Sequence, residues 1–315
     1  MTTLPHWLAT ETNDDQLAGV IAAMAAAGVE IARVLRTAPI SGQTGLAGAT
    51  NVQGEAQKAL DVISNDIVLN HLRDNPAVSI LISEELDEAV DLSSQGRFIV
   101  ATDPLDGSSN LDVNVTVGTI FSILPAEGGP LQKGLAQVAA GYVAYGPATS
   151  LVLRINGATS VFALSDAGEW VQIIAEASVP AASGEFAINT ARERFWDAAT
   201  KGYVAECVAG ETGPAGKRYN MRWVGSMVAD IHRILMRGGI FLYPLDSETL
   251  NKGGRLRLLY EANPMAWLVE GAGGRSTTGR QGILDIVPVD IHQRVPVILG
   301  SADEVARAEG WYARV

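Results

Sequence analysis

The chain has 315 residues, 47% apolar and 18% charged, with 35 Asp and Glu against 23 Lys and Arg for a formal charge of −12. That length buries a large core in one large or two smaller domains, and the composition is neither disordered nor membranous. The negative excess repels a nucleic-acid backbone instead of condensing on it. A single cysteine, Cys207, excludes an intramolecular disulfide and a Cys-based metal site, and four scattered histidines do not build a zinc centre. The opening Met1 to Trp7 lacks the basic and apolar regions of a signal peptide, and no apolar run approaches the roughly 20 residues of a membrane span. A cytoplasmic protein without a membrane partner is expected.

Asp14 to Arg36 carries Leu17, Ile21, Met24, Gly28, Ile31 and Leu35 on one helical face, with Asn13 or Asp14 as cap and Pro39 as its end. Gly42, Gly45, Gly48 and Gly54 then mark a loop. Leu60, Ile63, Ile67 and Leu72 predict a second helix over 55–72, with Asp61 and Asp66 off its apolar stripe. Val78 to Ile82 reads as a short buried strand ending in Ser83-Glu84-Glu85. Arg97 to Thr102 reads as another, followed by Asp103-Pro104-Leu105-Asp106-Gly107-Ser108-Ser109-Asn110. Strands recur at 115–124, 151–155, 159–164 and 169–174, which predicts a mixed sheet. The small polar stretch 178–184 marks a boundary near 180, dividing domain 1–180 from domain 181–315. Beyond it come a strand at 185–189, a helix at 224–237 with Met227, Ile231, Ile234 and Leu235 inward, and the strand Ile240 to Tyr243. Arg255 to Glu261 reads as a strand presenting an acid at its end, and Asn263-Pro264 opens a further helix.

Chemistry concentrates where these strands stop. Pro104 keeps Asp103 extended and Asp106-Gly107 signals a tight turn, so two carboxylates three residues apart leave a rigid element together. Such a pair suits a hard cation. Gly107, Ser108 and Ser109 add unencumbered backbone N–H groups and two hydroxyls, which a phosphate needs at a helix start. The competing reading is an Asp-rich turn that caps a helix; the coincidence of strand, paired acids and Gly-Ser-Ser favours metal and phosphate together. Glu84 and Glu85 arrive just before that strand, although in isolation the acids up to Asp91 read as a solvated turn.

Leu60 to Asp66, Ile82 to Glu85, Asp103 to Asn110, Gly225 to Arg233 and Leu256 to Ala266, in that order, resemble class 1 fructose-1,6-bisphosphatase, within the lithium-sensitive sugar and inositol phosphatases. The likeness continues through Asp290-Ile291-His292-Gln293-Arg294 and is weakest before about residue 45. It implies an α/β (α+β) fold with mixed sheets, layered α-β-α-β-α. It also implies two or more Mg2+ ions, with Mn2+ as an alternative, held by Glu84, Glu85, Asp103, Asp106, Glu261 and the Leu105 carbonyl. Asp61 and Glu85 then serve the nucleophilic water, and Glu55 matches a nearby catalytic loop acid where Asp is more usual. Asp106, Gly107, Ser108 and Ser109 surround the 1-phosphate. Asn189, Tyr243, Arg255 and Arg222 match the 6-phosphate site, the last contributed by an adjacent subunit of a homotetramer.

The implied reaction is hydrolysis of fructose 1,6-bisphosphate to fructose 6-phosphate and phosphate, in gluconeogenesis or the Calvin cycle. The alternatives are dual action on sedoheptulose 1,7-bisphosphate and an inositol-monophosphatase-like activity, against which the second phosphate site argues. A phosphoaspartyl route would present Asp-x-Asp followed by Thr or Val, whereas these acids are i and i+3 with proline between. Three departures stand out: Arg255 where Lys is common, and Trp223 and Arg192 where phosphate-binding tyrosines are common. Two hydroxyls are lost and one positive charge is gained, and core packing is the competing role for Trp223. AMP-inhibited members open the first helix with a Gly-Glu-Met-Thr-like stretch and carry a Lys-Tyr pair on the strand before Asp103 and a downstream Arg. Here Glu11 to Gln16 lacks glycine and the pair is Arg97-Phe98, so weak or absent AMP inhibition is expected, and lone Cys207 leaves no thiol switch.

Overall fold

The computed structural model describes residues 1–41, 46–50 and 56–315. Helices α1 (Leu4–Glu11) and α2 (Asp15–Ser41) precede the antiparallel pair β1 (Leu46–Thr50) and β2 (Ala56–Lys58) and helix α3 (Ala59–Arg73). Strands β3 (Val78–Ser83), β4 (Val90–Asp91), β5 (Phe98–Asp106), β6 (Val117–Pro125), β7 (Ala139–Tyr145), β8 (Thr149–Arg154), β9 (Ser160–Leu164) and β10 (Trp170–Ile174) follow. They build one sheet in the order β10-β9-β8-β7-β6-β5-β3-β4, antiparallel except for the β3–β5 pair. The remainder supplies β11 (Glu185–Ala187), α4 (Ala198–Ala209), β12 (Asn220–Met221), α5 (Met227–Arg237), β13 (Ile240–Tyr243), β14 (Leu256–Arg257), α6 (Asn263–Gly271), β15 (Arg275–Thr277), β16 (Arg294–Val295), β17 (Val297–Gly300) and α7 (Ala302–Tyr312). A second sheet runs β12-β11-β13-β17-β15, and β14 pairs separately with β16.

Period-two alternation along the central strands decides which layer each residue enters. Phe121 and Val143 face α1, α2 and α3, packing with Trp7, Ile21, Met24 and Leu60. Their neighbours Ile120 and Tyr142 face the middle layer, where α5 and α6 bring Met227, Ile231, Met265 and Leu268 against Phe241 and Leu299 of the second sheet. Helices α4 and α7 close the far side with Tyr203, Val204 and Val305 on Phe186, Leu242 and Ile298. The layers therefore run α-β-α-β-α, as the resemblance implies. Strand β5 lies between β3 and β6 and is buried at every residue, which is why it reads as a continuous apolar run.

Several boundaries differ from expectation. Helix α1 has no counterpart in the sequence reading. Helix α2 is capped by Asp14, whose Oδ1 accepts from the Gln16 and Leu17 N–H groups at 3.1 Å each, and it continues past Pro39, because a proline in the last turn forfeits one hydrogen bond while keeping a helical φ. By length and composition α2 is apolar enough to cross a membrane, contrary to the sequence reading. Its Val20, Ile21, Met24 and Ile31 are instead buried in the protein core. The second helix starts at Ala59, residues 56–58 being strand, and β1 lies where only loop is expected. Helix α5 starts at Met227, where the Ser226 hydroxyl accepts from Ala229 N–H at 3.4 Å.

Candidate active site

Strand β5 does not stop at Thr102 but runs through Asp106, with a register shift between Asp103 and Asp106 that admits Pro104 inside a central strand. The Thr119 hydroxyl donates to the Pro104 carbonyl at 2.8 Å, and Leu105 N–H donates to Asp103 Oδ1 at 2.9 Å. Gly107 then turns the chain at a φ of 75°, a left-handed conformation that glycine adopts without strain, into the 3-10 helix Ser108–Val113. Glu84 follows β3, the parallel neighbour of β5, so the two strands deliver their acids side by side.

Glu261 is not presented by a strand end. Strand β14 covers only Leu256 and Arg257, and Glu261 sits in a π-helical turn, Leu258–Ala262. Leu258 N–H donates to the Gln293 carbonyl at 2.7 Å and Arg257 N–H to Glu261 Oε2 at 2.6 Å, which tucks the carboxylate inward. An apolar Leu-Leu-Tyr run fits a strand and a buried helix equally well, so pattern alone does not separate them. π turns recur at functional sites.

Asp103, Asp106 and Glu261 are buried with carboxylate oxygens within 4.8 Å of one another, the one such group of metal-capable side chains among the described residues. Asp106 Oδ2 accepts from the Ser226 hydroxyl at 2.8 Å and Val228 N–H at 2.9 Å, tying β5 to the start of α5. A cleft of about 240 Å³ brings these acids together with Asp61, Glu84, Glu85, Leu105, Gly107, Ser108, Ser109, Tyr243 and Arg255. Asp61, off the apolar stripe of α3, is nonetheless buried, because the stripe is defined by the sheet while Asp61 turns to the cleft. Arg257 also lines the cleft, 5% exposed, its Nη2 2.9 Å from Glu84 Oε1. The sequence reading missed it, although Arg255-Leu256-Arg257 alternates in the way that puts both guanidiniums on one face.

Burial raises the Asp103 pKa well above the carboxylate range, and Glu84, Asp106 and Glu261 raise it further. Burial likewise pushes Asp106 up to about 6 against the opposing hydrogen bonds from Val228 and Ser226. It pushes Glu261 up to about 8, with Glu84 adding to the rise and Arg257 opposing it. Five buried acids, Asp61, Glu84, Asp103, Asp106 and Glu261, share the cleft with one buried arginine and hold an excess of negative charge that a divalent cation relieves. All the donors are oxygens, a set that fits Mg2+ or Mn2+.

Other expected residues lie apart. Asn189 accepts from Ala191 N–H at 3.2 Å and lines an adjoining recess of about 10 Å³ with Arg192, Trp223, Tyr243 and Asp246. Arg222 is exposed, donates to the Met221 carbonyl at 3.1 Å and does not line the cleft. Glu55 lies outside the described residues. The extra charge of Arg192 is not available to a phosphate, since Asp246 holds it at 2.6 Å and Glu248 at 3.1 Å. Trp223 stacks on Phe241 with centroids 5.8 Å apart and planes 8° from parallel, and meets Tyr243 edge-on, so it packs and walls the cleft at once. Arg97, just before β5, is paired with Asp14 at 2.9 Å.

The family model described as Fructose-1-6-bisphosphatase, N-terminal domain, matches residues 5–175, and that of the C-terminal domain matches 179–313. Class 1 fructose-1,6-bisphosphatase of Shewanella amazonensis is 46% identical over 319 residues, covering 99% of this chain and all of that protein. The Neisseria meningitidis class 1 enzyme is 49% identical over 308 residues, 96% of this chain and 95% of its own. The crystal structure of Leishmania major fructose-1,6-bisphosphatase in holo form superposes with a TM-score of 0.94 at 34% identity, over 99% of both chains. With family models that match residues 5–175 and 179–313 and relatives 46–49% identical over nearly the whole chain, the chain belongs to the class 1 fructose-1,6-bisphosphatase family.

Proposed function

We propose that the protein hydrolyses the 1-phosphate of fructose 1,6-bisphosphate, giving fructose 6-phosphate and phosphate. The observation that carries this reading is the convergence of three buried carboxylates with the Gly107-Ser108-Ser109 turn in a cleft that also holds Arg255 and Tyr243. Asp103, Asp106 and Glu261, with Glu84, Glu85 and the Leu105 carbonyl, hold Mg2+ or Mn2+. Such a cation supplies Lewis-acid polarisation of the phosphoryl group and a lowered pKa for water. Asp61 and Glu85 orient the attacking water and take its proton, with Glu55 as a further acid. Backbone N–H groups of Gly107 and Ser108, with the Ser109 hydroxyl, bind the 1-phosphate.

Arg255, Tyr243 and Asn189 anchor the 6-phosphate, joined by Arg222 across a subunit interface of a homotetramer. A guanidinium at 255 binds phosphate bidentately, which offsets the tyrosine hydroxyls replaced at 192 and 223. Anchoring the distant phosphate makes its binding energy available for orienting the reacting one. The acid-bearing domain is 1–180 and the sugar-phosphate domain 181–315, and the reaction belongs to cytoplasmic gluconeogenesis or the Calvin cycle. Phosphate release from fructose 1,6-bisphosphate, sedoheptulose 1,7-bisphosphate, fructose 6-phosphate and an inositol monophosphate, compared with and without Mg2+, tests the reading. Metal-dependent turnover of a bisphosphate is expected, and preference for either monophosphate would overturn it.

A further inference from the structure

Asp290-Ile291-His292-Gln293-Arg294 has no part in the chemistry above, yet it touches both arms of the acidic cluster. His292 Nε2 lies 3.2 Å from the Asp87 carbonyl, three residues beyond Glu84, and Nδ1 lies 2.8 Å from the hydroxyl of Tyr260, the neighbour of Glu261. A carbonyl only accepts, so Nε2 carries a proton, and in the neutral ring Nδ1 then accepts from the Tyr260 O–H. The two rings stand edge-on, centroids 6.0 Å apart. The loop itself is fixed: His292 N–H donates to Asp290 Oδ1 at 2.7 Å and Val289 N–H to Gln293 Oε1 at 2.7 Å. Its Gln293 carbonyl receives the Leu258 N–H that opens the π turn, and Ile291 packs on the cluster containing Ile82, Leu259 and Tyr260.

We propose that His292 is a positioning residue that clamps the turn after Glu84 to the π turn bearing Glu261, and so sets the spacing of the acids that hold the divalent cation. The proposal rests on the metal assignment made under the proposed function. Glu84 and Glu261 repel one another; Glu84 N–H is held by the Thr102 carbonyl of β5 at 3.1 Å, whereas Glu261 rides on a π turn outside the large sheet, so a tie from that turn to the segment after Glu84 helps keep the acids close enough to share a cation.

The test is Mn2+ binding to the purified full-length chain, read from the electron paramagnetic resonance signal of free Mn2+, beside Mg2+ activation curves and substrate KM. His292→Phe is expected to weaken Mn2+ binding about tenfold, the low end for residues that support metal ligands, and to raise the half-activating Mg2+ concentration by the same factor. KM for the bisphosphate at saturating Mg2+ stays within about twofold, since the clamp does not touch the sugar. Tyr260→Phe, which removes one oxygen, gives the same weakening, and the double variant is no worse than either single. Wild-type Mn2+ affinity in folded His292→Phe or Tyr260→Phe overturns the clamp while leaving the metal assignment standing. If His292→Phe does not fold, Tyr260→Phe decides. Mn2+ binding by the unaltered protein no stronger than by Asp103→Asn overturns the metal assignment and the clamp together.

Discussion

Replacing Gly107 by alanine perturbs the cleft where β5 meets α5. A Cβ built on Gly107 lies 2.6 Å from Ser226 Cβ and 2.8 Å from Ser226 Oγ, inside any tolerable contact, and φ at this position is 75°. The left-handed backbone costs an alanine about 1–2 kcal/mol. Relieving the clash by moving Ser226 costs about 1–3 kcal/mol more, as overpacking of a tight site does. The expected total is about 2–5 kcal/mol, read as a lowered urea midpoint with an unchanged slope. Ser226 donates to Asp106 at 2.8 Å, so its displacement also disturbs a proposed metal ligand, and Mg2+-dependent phosphate release should fall about ten- to a hundredfold. A double-mutant cycle separates the two terms. In a Ser226→Gly background the same alanine should cost only the backbone part, about 1–2 kcal/mol, leaving a coupling of about 1–3 kcal/mol. A Gly107→Ala protein as stable as the parent, or a cycle without coupling, refutes the reasoning.

Asp103→Asn and Glu84→Gln should each abolish Mg2+-dependent turnover with circular dichroism unchanged; near-parental rates at saturating Mg2+ in folded protein contradict the metal assignment. Without metal, Glu261 and Asp106 titrate near 8 and 6 against ordinary values of 4.5 and 3.8, so the stability they confer is full below the ordinary values and lost as pH rises through 6 and 8. The melting temperature in chelator should therefore fall between about pH 5 and 8 and Mg2+ should raise it most at the upper end, whereas an Mg2+ shift equal at both pH values counts against this. Arg222→Ala should raise KM for the bisphosphate more than it lowers kcat, and mixed Asp103→Asn and Arg222→Ala protomers should recover substrate affinity once subunits exchange; exchange without recovery sinks the shared site. Arg97 is already paired with Asp14, and burial pushes the thiol of lone Cys207 up to about 12, so micromolar AMP should not half-inhibit and dithiol should not activate; either effect would expose a regulatory site in these residues.

The sequence by itself determined whatever is written in short range. Asp103 to Asn110 identifies a place where acids and glycine-serine amides meet, because strand, proline and turn residues constrain one another within eight positions. The order of motifs likewise determined the family, and the apolar periods located β3, β13 and the inner face of α5. What depends on contacts between distant segments only the tertiary structure decided. Asp61 looks like an off-stripe helix residue until the cleft is assembled around it. Glu261 arrives on a π turn because the short ladder between β14 and β16, far along the chain, ends with the Leu258 N–H on the Gln293 carbonyl and the chain coils from there. Arg192 adds a charge on paper, but Asp246 and Glu248 neutralise it, and Arg257 is a buried partner of Glu84 although it reads as one more cation in a strand. Local propensity sets where a chain can turn; which charges meet, and therefore what each one is worth, is set by the burial and pairing that only packing supplies.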